Sequence, residues 1–160
     1  MFHRKLKTLR DLGKIQEIEH TGAWSQVYLL PNGNILKYFQ DHGQSDFLKL
    51  FRNKGPHFPV VRHFKDCGGM YLVVMERLEC ITQYFPNYKS FVRQVNTDMC
   101  RNIQASDYSI LLSNQAITFR NALDLLITEG EYLGAYPDIT PENIMVRPSD
   151  KSIVFLDPWG

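Results

Sequence analysis

Apolar and polar residues alternate through the first half of the chain with the two-residue period of β-strands. Turn sequences separate neighbouring strands: PNGN (31–34) lies between the second and third, and DCGG (66–69) lies between the fourth and fifth. The strand segments alternate in this way or cluster β-forming residues, and they are KIQEIEH (14–20), SQVYLL (25–30), ILKYF (35–39), PVVRHF (59–64) and MYLVVMERL (70–78). We therefore predict an antiparallel sheet of five strands.

Helical periodicity interrupts this pattern once and then dominates the second half. A short helix is predicted at 45–53 (SDFLKLFRN), with Ser45 as its N-cap. A longer helix, ending near Gly130 or Gly134, is predicted from apolar residues that fall on one stripe: Ala116, Phe119, Leu123, Leu126 and Ile127.

The remaining segments complete an α+β pattern. The region 82–114 is predicted to be helix and loop. A loop at 136–142 then leads into two short strands, NIMVR (143–147) and SIVFL (152–156), which are joined by a turn.

Composition and charge narrow the functional classes. The 160 residues are 44% hydrophobic, enough for one domain or two small lobes. A net charge of +1 supplies no bulk field that would attract nucleic acid or anionic lipid, so neither partner is expected. The basic start MFHRKLKTLR (1–10) is interpreted as a solvated flank. Three cysteines without paired spacing, and no apolar run that could span a bilayer, favour a cytoplasmic protein.

Three polar residues near the end of the sequence suit a metal and phosphate site. Asp138 and Asn143 lie on the loop that enters a short strand, and Asp157 ends the following apolar strand, where it should emerge near Asn143. Carboxylate and amide oxygens are ligands for Mg²⁺, which takes its other ligands from water and from the phosphates of a nucleotide. Lys37 is the single cation of the strand ILKYF, where it could hold phosphate beside the glycine-containing turn HTGAWSQV.

These segments, in this order, resemble those of protein kinases. DITPENIM resembles the catalytic loop of Ser/Thr kinases, in which four residues separate an Asp from an Asn. LDPWG stands in the place of the Asp-Phe-Gly segment, in a form closer to aminoglycoside-type kinases. GAWSQVYL, ILKYF and YLVVMERLE resemble the Gly-rich loop, the lysine strand and the fifth strand with its hinge. The chain is similar to minimal kinase-like proteins of bacteriophages and bacterial effectors.

The resemblance implies a protein kinase-like fold in a single domain, 1–160. Residues 1–78 would form a small lobe with the five-stranded sheet and one short helix, and residues 79–160 a truncated helical large lobe.

The resemblance also implies ATP and Mg²⁺ as cofactors. Asp138 would act as the catalytic base, Lys37 would contact the α and β phosphates, and Asn143 and Asp157 would bind the metal. The phosphate loop, the adenine pocket and the hinge would contribute Gly22, Ser25, Val27, Ile35, Met75, Glu76, Leu78 and Met145. Plain core packing is an equal alternative for Val27, Ile35 and Met145.

Several positions depart from the family pattern. The Gly-rich loop retains only Gly22, and the glutamate that normally pairs with the nucleotide lysine is missing, so Asp46 would have to replace it. Tyr136 and Pro137 stand where kinases have His and Arg. Because the sequence given ends at Gly160, we expect the activation loop and the peptide-binding platform to be missing.

Three functions fit this pattern. The first is a minimal ATP-dependent Ser/Thr kinase that acts on itself or with a host or cognate protein covering the truncated lobe. The second is a nucleotide-binding pseudokinase that docks on or inhibits a host protein. The third is a small-molecule phosphotransferase.

Overall fold

The structure is a computed structural model that describes residues 2–18, 25–101, 108, 111 and 113–159. The chain forms two compact units. The first unit comprises Met1–His42 and Val60–Arg77, and the second comprises Gly43–Pro59 and Leu78–Gly160. The predicted division into lobes at residue 78 stays a prediction.

The first unit is built on a five-stranded antiparallel sheet, which confirms the predicted α+β class. The strands lie in the spatial order β1-β2-β3-β5-β4. They are β1 (Gln16–Ile18), β2 (Ser25–Leu29), β3 (Ile35–Phe39), β4 (Val61–Asp66) and β5 (Tyr71–Met75).

Short polar side chains close the two predicted turns. Asn32 Oδ1 accepts the backbone N–H of Asn34 at 3.1 Å, and Gly33 between them has a φ of 80°. Asp66 Oδ1 accepts the N–H of Gly68 at 2.9 Å. Such side-chain acceptors take the place of a backbone carbonyl, and glycine adopts positive φ without steric cost.

A helix that the sequence pattern did not predict covers one face of this sheet. The basic start forms α1 (Phe2–Asp11), so its interpretation as a solvated flank was incomplete. Arg4 and Lys7 are exposed, whereas Leu6 is buried. Leu6 packs in a cluster with Ile15 and with residues of three strands: Tyr28, Leu36, Tyr38 and Leu72.

The second unit contains most of the helices and a small sheet. The helices are α2 (His42–Phe51), α3 (Tyr88–Arg101) and α4 (Ser113–Leu133), and Ile81–Gln83 form a 3₁₀ turn. The first residue of α2, His42, is assigned to the first unit. The small sheet is antiparallel and contains β6 (Glu79–Cys80), β7 (Ile144–Val146) and β8 (Ile153–Phe155). No helix in the described residues is long and apolar enough to cross a membrane.

The ends of the helices correct one prediction and confirm another. α2 begins at His42, so Ser45 lies inside the helix with its side chain fully buried, and its assignment as the N-cap was wrong. The buried residues of α2 begin at Gln44, whereas the apolar residues from which the helix was predicted begin at Phe47. α4 ends as predicted at Gly134, which has a φ of 66°, and the N–H groups of Gly134 and Ala135 return to the carbonyls of Glu131 and Gly130.

Aromatic rings fill the core of the second unit. The Phe119 ring on α4 lies 5.1 Å from Phe155 of β8, 5.4 Å from Phe91 of α3 and 5.0 Å from Tyr108, measured between centroids. Tyr108 is fully buried, and its hydroxyl donates to the buried carboxylate of Asp98 at 2.7 Å. The hydrogen bond satisfies two polar groups that would be costly to bury alone.

A buried histidine joins three segments of this core. His57 Nδ1 donates to the carbonyl of Ile153 at 2.7 Å, and Nε2 lies 2.8 Å from the Thr118 hydroxyl. Burial lowers the pKa of His57, and Arg147 lowers it further, although the Ile153 carbonyl and Asp150 act in the opposite direction. The lowered pKa of His57 favours the neutral imidazole, with its proton on the Nδ1 that donates to Ile153.

We expect the free energy of unfolding to fall as the pH drops below about 6.5, the ordinary pKa of histidine. Because the pKa of His57 is lowered in the folded protein, the unfolded chain binds the proton first, and each pH unit costs at most about 1.4 kcal/mol until the folded pKa is passed. Urea unfolding at pH 7.5 and 5.5 measures this. His57→Gln should be less stable but should lose this part of the pH dependence, and an unchanged pH dependence in the variant would contradict the assignment.

Leu6→Ala should destabilise the protein by about 2–4 kcal/mol, because it removes a buried side chain between α1 and the sheet. Leu12→Ala is the matched control, since Leu12 is 63% exposed and its loss should change stability by less than about 0.5 kcal/mol. Thermal unfolding of both variants makes the comparison. Equal effects would show that α1 does not pack on the sheet.

Candidate functional site

The predicted nucleotide contacts of the first unit share one face of its sheet. In antiparallel pairing, directly opposed residues and next-but-one residues point to the same side. Val27 opposes Lys37, and Ile35 opposes Met75, while Ile35 and Lys37 are two apart on β3. Ser25 lies two residues before Val27, and so belongs to the same face. The other face is the one that packs on α1.

Lys37 is half-buried at the centre of this face. Its Nζ lies 5.3 Å from the centroid of the Phe39 ring, a cation–π contact. The neighbouring strands present Val27 and Val73 directly beside it. Lys37 is therefore a cation flanked by apolar side chains of both neighbouring strands.

The segment after β5 is tied to the start of β4 by two hydrogen bonds. The backbone N–H of Glu76 donates to the Val60 carbonyl at 3.0 Å, and Glu76 Oε1 accepts the Val60 N–H at 2.8 Å. The N–H of Glu76 is thus already used in the link to the residue before β4.

The other predicted nucleotide residues are placed less fully. Leu78 and Met145 are half-buried in the second unit, where Met145 lies on β7 opposite Cys80 and Val154. Gly22 lies outside the described residues.

The structure brings together the three polar residues predicted near the end of the sequence. Asn143 immediately precedes β7 and Asp157 closely follows β8, and antiparallel pairing of these strands puts both at one end of the hairpin. The N–H of Leu156 donates to the Asn143 carbonyl at 2.9 Å. Asp138 joins them because its N–H donates to the Pro158 carbonyl at 2.9 Å. All three residues belong to the second unit.

The side chain of Asn143 fixes the carboxylate of Asp138. Asn143 Nδ2 donates to the Asp138 carbonyl at 2.8 Å and to Asp138 Oδ2 at 3.0 Å. Both partners are acceptors, so the amide must present its NH₂ group to them, and Oδ1 faces the other way. Asn143 therefore offers an oxygen to a further ligand while it holds Asp138.

This donor set fits Mg²⁺ bound together with phosphate. The described residues contain no group of three or more His, Cys, Asp or Glu side chains that could hold a metal. Asn143 Oδ1 and the half-buried carboxylate of Asp157 are oxygen donors, which Mg²⁺ prefers, and two protein ligands are usual where nucleotide phosphates supply others.

Asp46 has a local contact. Its carboxylate lies 3.2 Å from Lys49 Nζ on the exposed side of α2, and its side chain is 56% exposed. The replacement of the missing glutamate by Asp46 stays a prediction.

Two features of the site were not found from the sequence. Asn143 was predicted as a metal ligand, but its bond to Asp138 was not foreseen, because spacing alone does not show which way an amide turns. Trp159 was not linked to Gly130, although a glycine inside a strong helical pattern is a signal of close packing.

No protein-family model matches the chain, and no curated protein matches it in sequence. Among solved structures, the chain is similar to the PknI kinase domain of Mycobacterium tuberculosis, with 16% identity and a TM-score of 0.44 over 90% of this chain and 59% of that one. It is also similar to Rad53 1-466 in complex with AMP-PNP, with 13% identity and a TM-score of 0.44 over 96% of this chain and 42% of that one. The chain thus spans less than two thirds of the length of either structure.

Asn143→Asp should be less stable at pH 7 than Asn143→Ala, by about 1 kcal/mol. Both variants lose the donor to Asp138, but the aspartate also places a second negative charge against that carboxylate. Thermal unfolding of the pair at pH 7 tests this, and equal melting temperatures would contradict the observed hydrogen bond.

Proposed function

We propose that the chain is a Mg²⁺- and ATP-dependent phosphotransferase of the protein kinase type. The observation that carries the proposal is the meeting of Asp138, Asn143 and Asp157 at one end of the β7–β8 hairpin, with the Asn143 amide nitrogen on Asp138. A carboxylate held by an amide, beside a second carboxylate, supplies both a proton acceptor and a metal site. The Asp-x₄-Asn spacing of the catalytic loop supports the same assignment.

Each polar residue has a distinct role in this proposal. Asp138 orients the acceptor hydroxyl and takes its proton, and because Oδ2 is engaged by Asn143, we assign the proton to Oδ1. Asn143 Oδ1 and Asp157 would hold Mg²⁺, which neutralises phosphate charge when it is bound. Lys37 would contact the nucleotide phosphates from its sheet.

The adenine and phosphate contacts are assigned to the face of the sheet opposite α1. Val27, Ile35 and Met75 supply apolar surface there, and Ser25 supplies a hydroxyl at the edge of β2. On the resemblance, Glu76 would meet the base through its backbone. Gly22, Leu78 and Met145 complete the proposed set on the resemblance alone.

A Ser/Thr kinase with a protein partner is our first choice for the acceptor. Large apolar side chains exposed on the second unit support a protein contact there: Ile117, Leu125, Tyr132, Leu133 and Tyr136. The three cysteines, Cys67, Cys80 and Cys100, are free, which agrees with the cytoplasmic location that we propose.

A pseudokinase is the second candidate, and the sequence supports it. The glutamate that pairs with the nucleotide lysine in an active kinase is missing from this chain. A chain of this kind would bind Mg·ATP without transferring phosphate.

Mg·ATP should stabilise the protein by RT ln(1 + [L]/Kd), about 2.7 kcal/mol at a hundredfold excess over Kd. Asp157→Ala should lose the Mg²⁺-dependent part of this stabilisation. Asp138→Ala should keep most of it and lose phosphoryl transfer, because a base that acts on the acceptor adds little to ATP affinity. Thermal shift with and without Mg²⁺, and transfer from γ-labelled ATP, give the two readouts.

Asp124→Ala is the matched control, since Asp124 is an exposed carboxylate on α4 outside the site. It should behave like the wild type in both assays. If Mg·ATP does not stabilise the wild-type protein, the kinase and pseudokinase proposals are both overturned. Stabilisation without any transfer, alone or with cell extract, would favour the pseudokinase, and efficient transfer to an aminoglycoside would favour the small-molecule enzyme.

A further inference from the structure

Trp159 is held in a closely fitted aromatic pocket of the second unit. Its side chain is 3% exposed, and its ring meets Phe47 and Phe51 of α2 edge to face, with centroids 5.9 Å and 5.5 Å apart. Its Nε1 has no hydrogen-bond partner among the described residues. The indole is therefore fixed by the shape of its surroundings.

The backbone of Trp159 is joined to the segment that carries Asp138. Pro137 and Trp159 form an antiparallel bridge, and the N–H of Asp138 donates to the Pro158 carbonyl at 2.9 Å. Asp157 lies two residues before the anchored ring. Because only a short stretch of backbone connects the ring to Asp138 and Asp157, a displacement of the ring would also displace both carboxylates.

Gly130 forms the wall of the pocket on α4. A Cβ at this position would lie 3.1 Å from Trp159 Nε1, 3.5 Å from Cε2 and 3.8 Å from Cζ2. Glycine is a poor residue within a helix, where alanine is the best. The indole explains why a glycine occupies this turn of α4.

We infer that Trp159 is a positioning residue for Asp138 and Asp157, and that Gly130 allows its ring to seat. The inference rests on the proposed function, because the carboxylates are those assigned to the base and the metal. It adds that the geometry of the metal site is set by a contact between α4 and the segment after β8.

A double-mutant cycle of Gly130→Ala and Trp159→Leu tests the contact. Leucine lacks all three of the indole atoms that a Cβ at position 130 would approach. With Trp159 present, Gly130→Ala should fail to raise the melting temperature. It should also weaken the apparent Mg²⁺ affinity, measured at fixed ATP, by about tenfold, because loss of supporting contacts around a metal has an effect of this size. With Leu at 159, the same change should raise the melting temperature, because only helix propensity remains, and should alter Mg²⁺ affinity less than about twofold.

Fluorescence of the free protein gives a readout that needs neither metal nor nucleotide. Trp24→Phe leaves Trp159 as the only tryptophan of the chain. In that background Gly130→Ala should shift the emission maximum to longer wavelength if the ring is moved out of its pocket.

Val95→Ala is the control for a general loss of stability, because Val95 is fully buried on α3 of the same unit. It should lower the melting temperature and leave the Mg²⁺ dependence unchanged. Equal effects of Gly130→Ala in the Trp and Leu backgrounds, or an equal loss of Mg²⁺ affinity in Val95→Ala, would overturn the positioning role alone. Absence of Mg²⁺-dependent ATP binding in wild type would overturn the proposed function, and the positioning role with it.

Discussion

The antiparallel pairing of β7 with β8 is the constraint on which the candidate site depends. The register opposes Ile144 to Phe155, so the residues just outside the two strands must lie at the same end of the hairpin. A slip of one residue in β7 would exchange the fully buried positions of Ile144 and Val146 with the half-buried position of Met145, which disfavours it. The core of the second unit thus determines where Asn143 and Asp157 meet.

In the sheet of the first unit, the two-residue period of the strands determines which side chains share a face. One face must be apolar because α1 packs against it, and the residues between those positions are then committed to the other face. Lys37 lies on that second face because Leu36 and Tyr38, its neighbours on β3, are both in the α1 cluster. Burial on one side of the sheet therefore decides on which side Lys37 lies.

The strands and most of the second half could be predicted from sequence because their signals are local. Alternation gave the five strands, the turns followed from Asn32, Gly33 and Asp66, and Gly134 marked the end of α4. The first helix was not predicted, because Leu6 and Leu9, the described side chains that it packs on the sheet, stand among many charged residues. Ser45 was assigned to a cap because its residue type favours caps, and tertiary burial of α2 overrode that preference.

The site itself was predictable as a set of residues but not as an arrangement. Spacing identifies Asp138, Asn143 and Asp157, because loops next to strand ends collect polar groups. The orientation of an amide and the fit of Trp159 against Gly130 depend on contacts between segments far apart in the sequence. The contacts of His57 could not be predicted for the same reason, since its hydrogen bonds reach Thr118 and Ile153, which are far from it in the sequence.

An amide at position 143 solves an electrostatic problem that a third acid would not. Two carboxylates close together repel each other, and a neighbour that can only accept hydrogen bonds would add to the repulsion. Asparagine is neutral and has two different ends: its NH₂ group donates to Asp138, and its oxygen stays available for a cation. In the proposed site, a cation would take negative charge from Asp157 more than from Asp138, whose Oδ2 is already engaged by Asn143. The proposed base and the proposed metal ligands would then be different groups, while the hairpin holds them close in space.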